Sequence, residues 1–180
     1  MSLCLSPGLP IVAAWLAFFE PSLFLRLAAA VLLHESAHLL MIFLHHRMIR
    51  QIDLSLSGVR IRLEPGRGDA AIAVAGGIAN LLCALCLMRI LPAAASVQFA
   101  VGLFPLLPLP GSDGEDWLRA VFLHHLSPEH AEDILQRVMR ATAVLLFGGT
   151  VFLYAIGKCH WLLPVLAAGK VFFVCKETNR

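Results

Sequence analysis

Two histidines and a glutamate form an H-E-x-x-H sequence, His34-Glu35-x-x-His38, within a long apolar segment. On a helix, residues four apart differ by about 40° around the axis and about 6 Å along it, so both imidazoles point the same way and can bind one Zn²⁺. Glu35, about 100° round from His34, can hold the metal-bound water as a general base. The spacing therefore predicts a zinc centre that activates water, with His34 and His38 as ligands.

The apolar setting of this motif strengthens the prediction. A charged residue near the middle of a membrane helix costs about 2.5–3.5 kcal/mol even on the lenient insertion scale, and a metal ion offers the compensation. The alternative is a chance pentapeptide whose polar groups bond to neighbouring helices. Because two histidines make an incomplete zinc site, we expect a third protein ligand elsewhere, with the fourth position left for water.

Asp113 is the best candidate for the third ligand. It follows the Leu-Leu-Pro-Leu-Pro-Gly-Ser sequence of residues 106–112, whose prolines and glycine break an apolar segment. Irregular backbone at membrane depth is tolerated where it lines a polar cavity. An Asp-Gly pair after Pro-Gly is also typical of an ordinary surface turn, and Glu115 and Asp116 remain as alternative ligands.

A third apolar segment carries the sequence Gly76-Gly77-Ile-Ala-Asn80. Glycines in a membrane helix usually indicate close packing against another helix, which is the interpretation we adopt for Gly76 and Gly77. The Asn80 amide has two readings: it bridges helices, or it holds a substrate backbone or oxyanion at the metal centre.

The composition indicates an integral membrane protein. Of 180 residues, 59% are hydrophobic and 14% are charged, against about 45–50% and about 25% in ordinary soluble domains. The net charge of +2 and the lack of clustered basic residues argue against a nucleic-acid partner. Five cysteines, scattered or inside apolar runs, fit buried thiols better than a disulfide framework.

The predicted fold is all-α and polytopic, with a single membrane domain over residues 1–180. Six apolar segments are candidates for transmembrane helices: 9–19, 22–44, 70–91, 94–110, 141–157 and 160–174. If all six span, the arginines concentrate on one side, and the positive-inside rule makes that side cytoplasmic, with both termini there.

Two further elements are predicted on the cytoplasmic side. Residues 52–63 alternate apolar and polar about a Ser-Gly turn, which predicts a β-hairpin that pairs Leu56 with Val59 and Asp53 with Arg62. Residues 128–140 have acids in the first turn and arginines in the last, which predicts the start of an amphipathic helix.

These motifs together resemble the site-2 protease family of intramembrane zinc metalloproteases (peptidase family M50). The H-E-x-x-H, the glycine pair before Asn80 and the Leu-Leu-Pro-x-Pro element before Asp113 are similar in order and spacing to the minimal, stage IV sporulation protein FB type. The similarity covers about residues 22–118. The chain departs from the common family pattern at three positions of the second motif: Pro105, Ser112 and Glu115.

The resemblance implies a role for each candidate residue. His34, His38 and Asp113 would be the ligands of one Zn²⁺ per chain, Glu35 the catalytic base, and Asn80 a residue near the substrate. The hairpin after the catalytic helix would line the path of the substrate to the site.

The function that follows is hydrolysis of a peptide bond in or next to a transmembrane segment of a membrane-bound, regulatory protein. We expect a multi-pass protein of a bacterial cytoplasmic membrane, with a membrane-spanning protein substrate, contact with the lipid bilayer and room for a regulatory membrane partner. The alternative is a catalytically inactive zinc-binding homologue that binds or chaperones a partner protein. A channel or metal transporter would need polar residues in several spans, and these are few.

Overall fold

The structure, a computed structural model, describes residues 3–5, 17–47, 49–55, 58–63, 69–157 and 168, with side chains in 17–47, 69–157 and 168. The chain divides into two compact units, Met1–Leu106 and Leu107–Arg180. The predicted apolar segments 9–19 and 160–174 lie outside the described residues, apart from residues 17–19 and 168.

In the described part of the first unit, residues 17–19 are helical and three complete helices follow: α1 (Pro21–Leu44), α2 (Asp69–Leu87) and α3 (Pro92–Leu106). Pro21 occupies the first turn of α1, where its missing N–H would have no intrahelical partner in any case. Asp69 in the first turn of α2 complements the positive end of the helix dipole. The α2 helix packs against both α1 and α3.

Small residues allow these three helices to approach closely. A Cβ atom added at Gly77 would lie 2.6 Å from Leu106 Cγ, and one added at Gly102 would lie 2.9 Å from the Gly77 carbonyl oxygen. Contacts this short mean that a neighbouring atom would have to shift to admit a side chain, so the prediction of close helix packing at Gly77 is confirmed.

Among the residues that the structure describes, three helices are long and apolar enough to cross a membrane: α1, α2 and the later helix α5 (Pro128–Ala155). Many of their large apolar side chains are exposed, as expected for a surface that faces lipid. These helices and their apolar surfaces suggest a helical membrane protein, as predicted, but six transmembrane segments are not supported. The predicted segment 94–110 forms the 15-residue α3, about 22 Å long and therefore short of the roughly 30 Å hydrocarbon core.

A three-stranded sheet accompanies the helices of the first unit, in the order β1 (Leu3–Leu5), β2 (Ile49–Ser55), β3 (Gly58–Leu63). The central strand β2 runs parallel to β1 and antiparallel to β3. Its backbone groups therefore face a partner strand on both sides.

The predicted register between β2 and β3 is wrong. Val59 pairs with Leu54 rather than Leu56, and Asp53 pairs with Arg60 rather than Arg62. Apolar alternation has a period of two residues, so it defines which residues share a face but permits a shift of pairing by an even number. The two residues between the strands, 56 and 57, lie outside the described residues.

The second unit contains α4 (Asp113–His125) and α5 (Pro128–Ala155). Buried Leu109 and Ala143 form its apolar cluster, with Leu107 and Leu146 packed against them. The predicted amphipathic start at 128–140 is the first part of α5, and this helix continues past Gly148 without a break.

Candidate metal centre

His34 and His38 lie on one face of α1 and are both buried, with 6% and 8% of their surfaces exposed. Their Nε2 atoms are 3.1 Å apart. Residues four apart on a helix lie one above the other, and here the two rings also turn their Nε2 atoms toward the same point. Two nitrogens are thus held together in an apolar helix where isolated polar groups would be costly.

A backbone carbonyl of α2 fixes the proton position on His38. Its Nδ1 atom lies 2.7 Å from the Ile72 carbonyl oxygen, which can only accept a hydrogen bond. His38 Nδ1 therefore carries the proton, and in the neutral ring Nε2 carries the lone pair that can bind a metal ion. A metal-ligating histidine is commonly oriented in this way by its second nitrogen.

The separation of the two Nε2 atoms fits a zinc ion. Two nitrogens bound to one tetrahedral Zn²⁺ at about 2.0–2.1 Å lie about 3.3–3.4 Å apart, close to the observed 3.1 Å. The ring tautomer, the burial and the spacing all match what zinc requires. Glu35 follows His34 directly on α1 and is half-buried.

Asn80 on α2 is completely buried, and its side-chain Nδ2 donates a hydrogen bond of 3.1 Å to the Ala30 carbonyl oxygen on α1. Of the two roles considered for this residue, the structure therefore shows the bridge between helices. Its Oδ1 atom accepts no hydrogen bond within the described part of the chain.

In the second unit, Asp113 is the first residue of α4 and is half-buried. The backbone before it is shaped by Gly111, whose φ of 78° lies in the left-handed region that favours glycine. Ser112 caps the helix: its Oγ accepts from Glu115 N at 3.3 Å and donates to a carbonyl oxygen of the preceding loop, that of Leu107 at 2.6 Å or of Leu109 at 2.7 Å. A side chain without a hydroxyl group, such as leucine, could not make these bonds at position 112.

The two alternative ligands differ from Asp113 in their surroundings. Glu115 accepts from Gly111 N at 2.6 Å and from Arg119 at 2.6 Å, and Arg119 also contacts Glu132 of α5. Burial lowers the pKa of Arg119, but the hydrogen bonds and charges of Glu115 and Glu132 outweigh this and raise the pKa above its usual value. Glu115 is therefore part of a charge network that stabilises the α4–α5 pair, while Asp116 is exposed.

The sequence did not indicate an ion pair at the end of α1. Arg47 Nη2 lies 2.9 Å from Asp69 Oδ1, and only 10% of the Arg47 side chain is exposed. This pair joins the chain just after α1 to the start of α2, and so brings together the two ends of the segment that carries β2 and β3. The opposite charges of Arg47 and Asp69, before and after the strands, were the feature of the sequence from which this pair could have been predicted.

No family model matches the sequence, and no curated protein matches it. The chain is similar to the solved structure of the Site-2 Protease from Methanocaldococcus jannaschii, with a TM-score of 0.63 and 20% sequence identity over 93% of this chain and 84% of that one. At this level of identity the likeness concerns the fold, and similarity to the stage IV sporulation protein FB type stays a prediction. The chain has the fold of that site-2 protease.

Proposed function

We propose that this chain is a zinc-dependent intramembrane protease, which hydrolyses a peptide bond in or next to a transmembrane segment of a membrane-bound regulatory protein. The observation that carries the proposal is the buried pair of Nε2 atoms, 3.1 Å apart, from His34 and His38 on an apolar helix. The fold shared with a site-2 protease supports the same function.

Asp113 is the third ligand in this proposal, because the other two acids near it are less suited. Glu115 is engaged with Gly111 and Arg119, and Asp116 is exposed. Two imidazole nitrogens and one carboxylate oxygen form a donor set that is common in catalytic zinc sites and leaves the fourth position open.

The chemistry divides between the metal and Glu35. A bound zinc ion would polarise the scissile carbonyl and lower the pKa of a water molecule. Glu35 accepts the proton of the attacking water and delivers it to the leaving nitrogen. His38 keeps its orientation during this transfer because its Nδ1 donates to the Ile72 carbonyl.

The substrate has to leave its helical form before cleavage, because a helix engages its carbonyl groups in intrachain hydrogen bonds. We propose that the unwound segment adds to the edge of β3. The central strand β2 has β1 on one side and β3 on the other, so the two outer strands have the open edges among the described strands. Of these, β3 is the longer, with six residues against three in β1.

Asn80 is proposed to contact this substrate through its Oδ1 atom, which makes no hydrogen bond within the described residues. An amide oxygen accepts, so its partner would be a backbone N–H of the unwound segment. Because Asn80 is completely buried, the contact would need α2 and α3 to separate locally.

The membrane orientation is proposed from the arginines. Several lie between α1 and α2, whereas the short connection between α2 and α3 contains one, Arg89. The positive-inside rule then places β2 and β3 in the cytoplasm of a bacterial cell, and β1, which pairs with β2, on the same side. Reporter fusions after residues 63 and 90 should report opposite sides of the membrane.

The test is co-expression of the parent chain and Glu35→Gln with candidate membrane substrates, with cleavage followed on gels. Glu35→Gln should retain zinc and helical structure but lose cleavage, because Glu35 is a base and not a ligand. The matched control is Glu129→Gln, which removes an exposed carboxylate in α5 and should cleave like the parent. Cleavage by Glu35→Gln would refute the mechanism, and a zinc-loaded parent that cleaves no substrate would indicate the inactive homologue.

A further inference from the structure

A buried glycine of α2 faces the two ligand nitrogens of α1. A Cβ atom added at Gly76 would lie 2.5 Å from His38 Nε2 and 2.7 Å from His34 Nε2. Real Cβ atoms essentially never approach other heavy atoms within 3.0 Å. The two Nε2 atoms therefore lie against the bare backbone of Gly76, and any side chain there would occupy the space next to them.

Neither ring can turn aside cheaply to admit a side chain. His38 is held by its Nδ1 hydrogen bond to the Ile72 carbonyl, one helical turn before Gly76. His34 lies at 3.1 Å from His38 through Nε2, so its rotation would separate the two nitrogens that have to converge. Rotation of either ring removes the geometry that binds a metal ion.

The spacing between α1 and α2 is also constrained on both sides of Gly76. The His38–Ile72 hydrogen bond lies one turn before it, and the Asn80–Ala30 hydrogen bond lies one turn after it. Moving α2 away from α1 to admit a methyl group would stretch both bonds. The close approach at Gly76 therefore cannot relax without loss of a buried interhelical contact.

We propose that Gly76 is a positioning residue for the metal ion: its missing side chain reserves the volume that the Nε2 atoms of His34 and His38 face. The inference rests on the proposed function, since it concerns the same metal site. It assigns Gly76 a task different from that of Gly77, where an added Cβ meets only the flexible Leu106 side chain, at 2.6 Å.

The experiment compares Gly76→Ala with two matched controls, Gly77→Ala in the same helix and Gly149→Ala, where an added Cβ meets nothing within 4 Å. Zinc per chain is measured by elemental analysis, zinc affinity by chelator competition, and the ligand field by the absorption spectrum after Co²⁺ substitution. Helical content is measured by circular dichroism of the metal-free proteins.

Gly76→Ala should keep the helical content of the parent and lose the Co²⁺ spectrum. It should bind zinc at least about 10-fold more weakly, which is the smallest loss usually seen when residues that support metal ligands are changed. Both controls should bind zinc like the parent. Undiminished zinc affinity in Gly76→Ala, equal loss in Gly77→Ala, or loss of helical signal in proportion to zinc would each overturn the assignment. A parent chain without zinc would instead refute the proposed function, and the role of Gly76 with it.

Discussion

Removal of zinc should lower the unfolding temperature while leaving the His34–His38 pair almost in place. The two Nε2 atoms are 3.1 Å apart, and binding one tetrahedral zinc requires about 3.3–3.4 Å, so the pair opens by only about 0.2–0.3 Å. Without metal, the protonated His34 Nε2 donates to the lone pair of His38 Nε2, because His38 carries its proton on Nδ1. The rings therefore barely move on zinc binding, but the His34 proton has to leave Nε2 for Nδ1 before Nε2 can bind the metal.

The stabilisation then follows from mass action. With free zinc at about 1,000 times its dissociation constant, binding to the folded state stabilises it by about 4 kcal/mol. For a chain of about 150–250 residues, each kcal/mol raises the unfolding temperature by about 2–4 °C, which gives a shift of about 8–16 °C.

The assay is thermal unfolding in detergent, once with buffered free zinc and once with excess chelator. His38→Ala is the control and should show no zinc-dependent shift, because it removes one of the two converging nitrogens. An equal shift in His38→Ala, or none in a zinc-containing parent, would refute the proposed ligand pair.

Three other substitutions test neighbouring parts of the site. Asp113→Ala should lose zinc whereas Asp116→Ala should retain it, as measured by elemental analysis. The reverse result would identify Asp116 as the third ligand. Leu54→Pro removes a backbone donor from the central strand β2 and should slow cleavage of a membrane-spanning substrate at unchanged zinc content; unchanged cleavage would remove the strands from the mechanism. Ser112→Ala should reduce the free energy of unfolding by about 1–2 kcal/mol, measured with denaturant. Ser127→Ala should cost less, because the Ser127 side chain caps no backbone N–H of α5 and bonds the exposed His130 side chain instead; equal costs would contradict the capping role.

The convergence of His34 and His38 was predictable because it depends on local geometry alone. An i, i+4 spacing on one helix places the rings together whatever the rest of the chain does. The acceptor for His38 Nδ1 was not predictable in this way, since it is the backbone carbonyl of Ile72, and every residue has a carbonyl. Similarly, the Ser112 hydrogen bonds depend on a loop conformation that its sequence of prolines and glycine only permits.

The errors in the predicted fold have a related origin. Hydropathy identified apolar stretches correctly but not their helical lengths, so the segment that became the 15-residue α3 was counted as a span. Alternation identified the apolar residues of β2 and β3 but permitted the pairing to shift by two residues. The strand pattern is periodic, and a periodic pattern specifies a face of an element without its position along the axis.

The same ambiguity explains why the role of Gly76 could not be derived from the sequence. Ile72, Gly76 and Asn80 are four residues apart and lie on one face of α2. If α2 slid by one turn along α1, the same face of α2 would still contact α1. A shift of one turn would bring Ile72 or Asn80, each with a side chain, against the ligand nitrogens. The observed alignment is selected by two long-range hydrogen bonds, from His38 to the Ile72 carbonyl and from Asn80 to the Ala30 carbonyl. We expect Asn80, through this alignment, to hold Gly76 against the two histidines. Zinc affinity in Asn80→Leu tests this separately from any contact between Asn80 and the substrate; undiminished affinity would show that the helices align without Asn80.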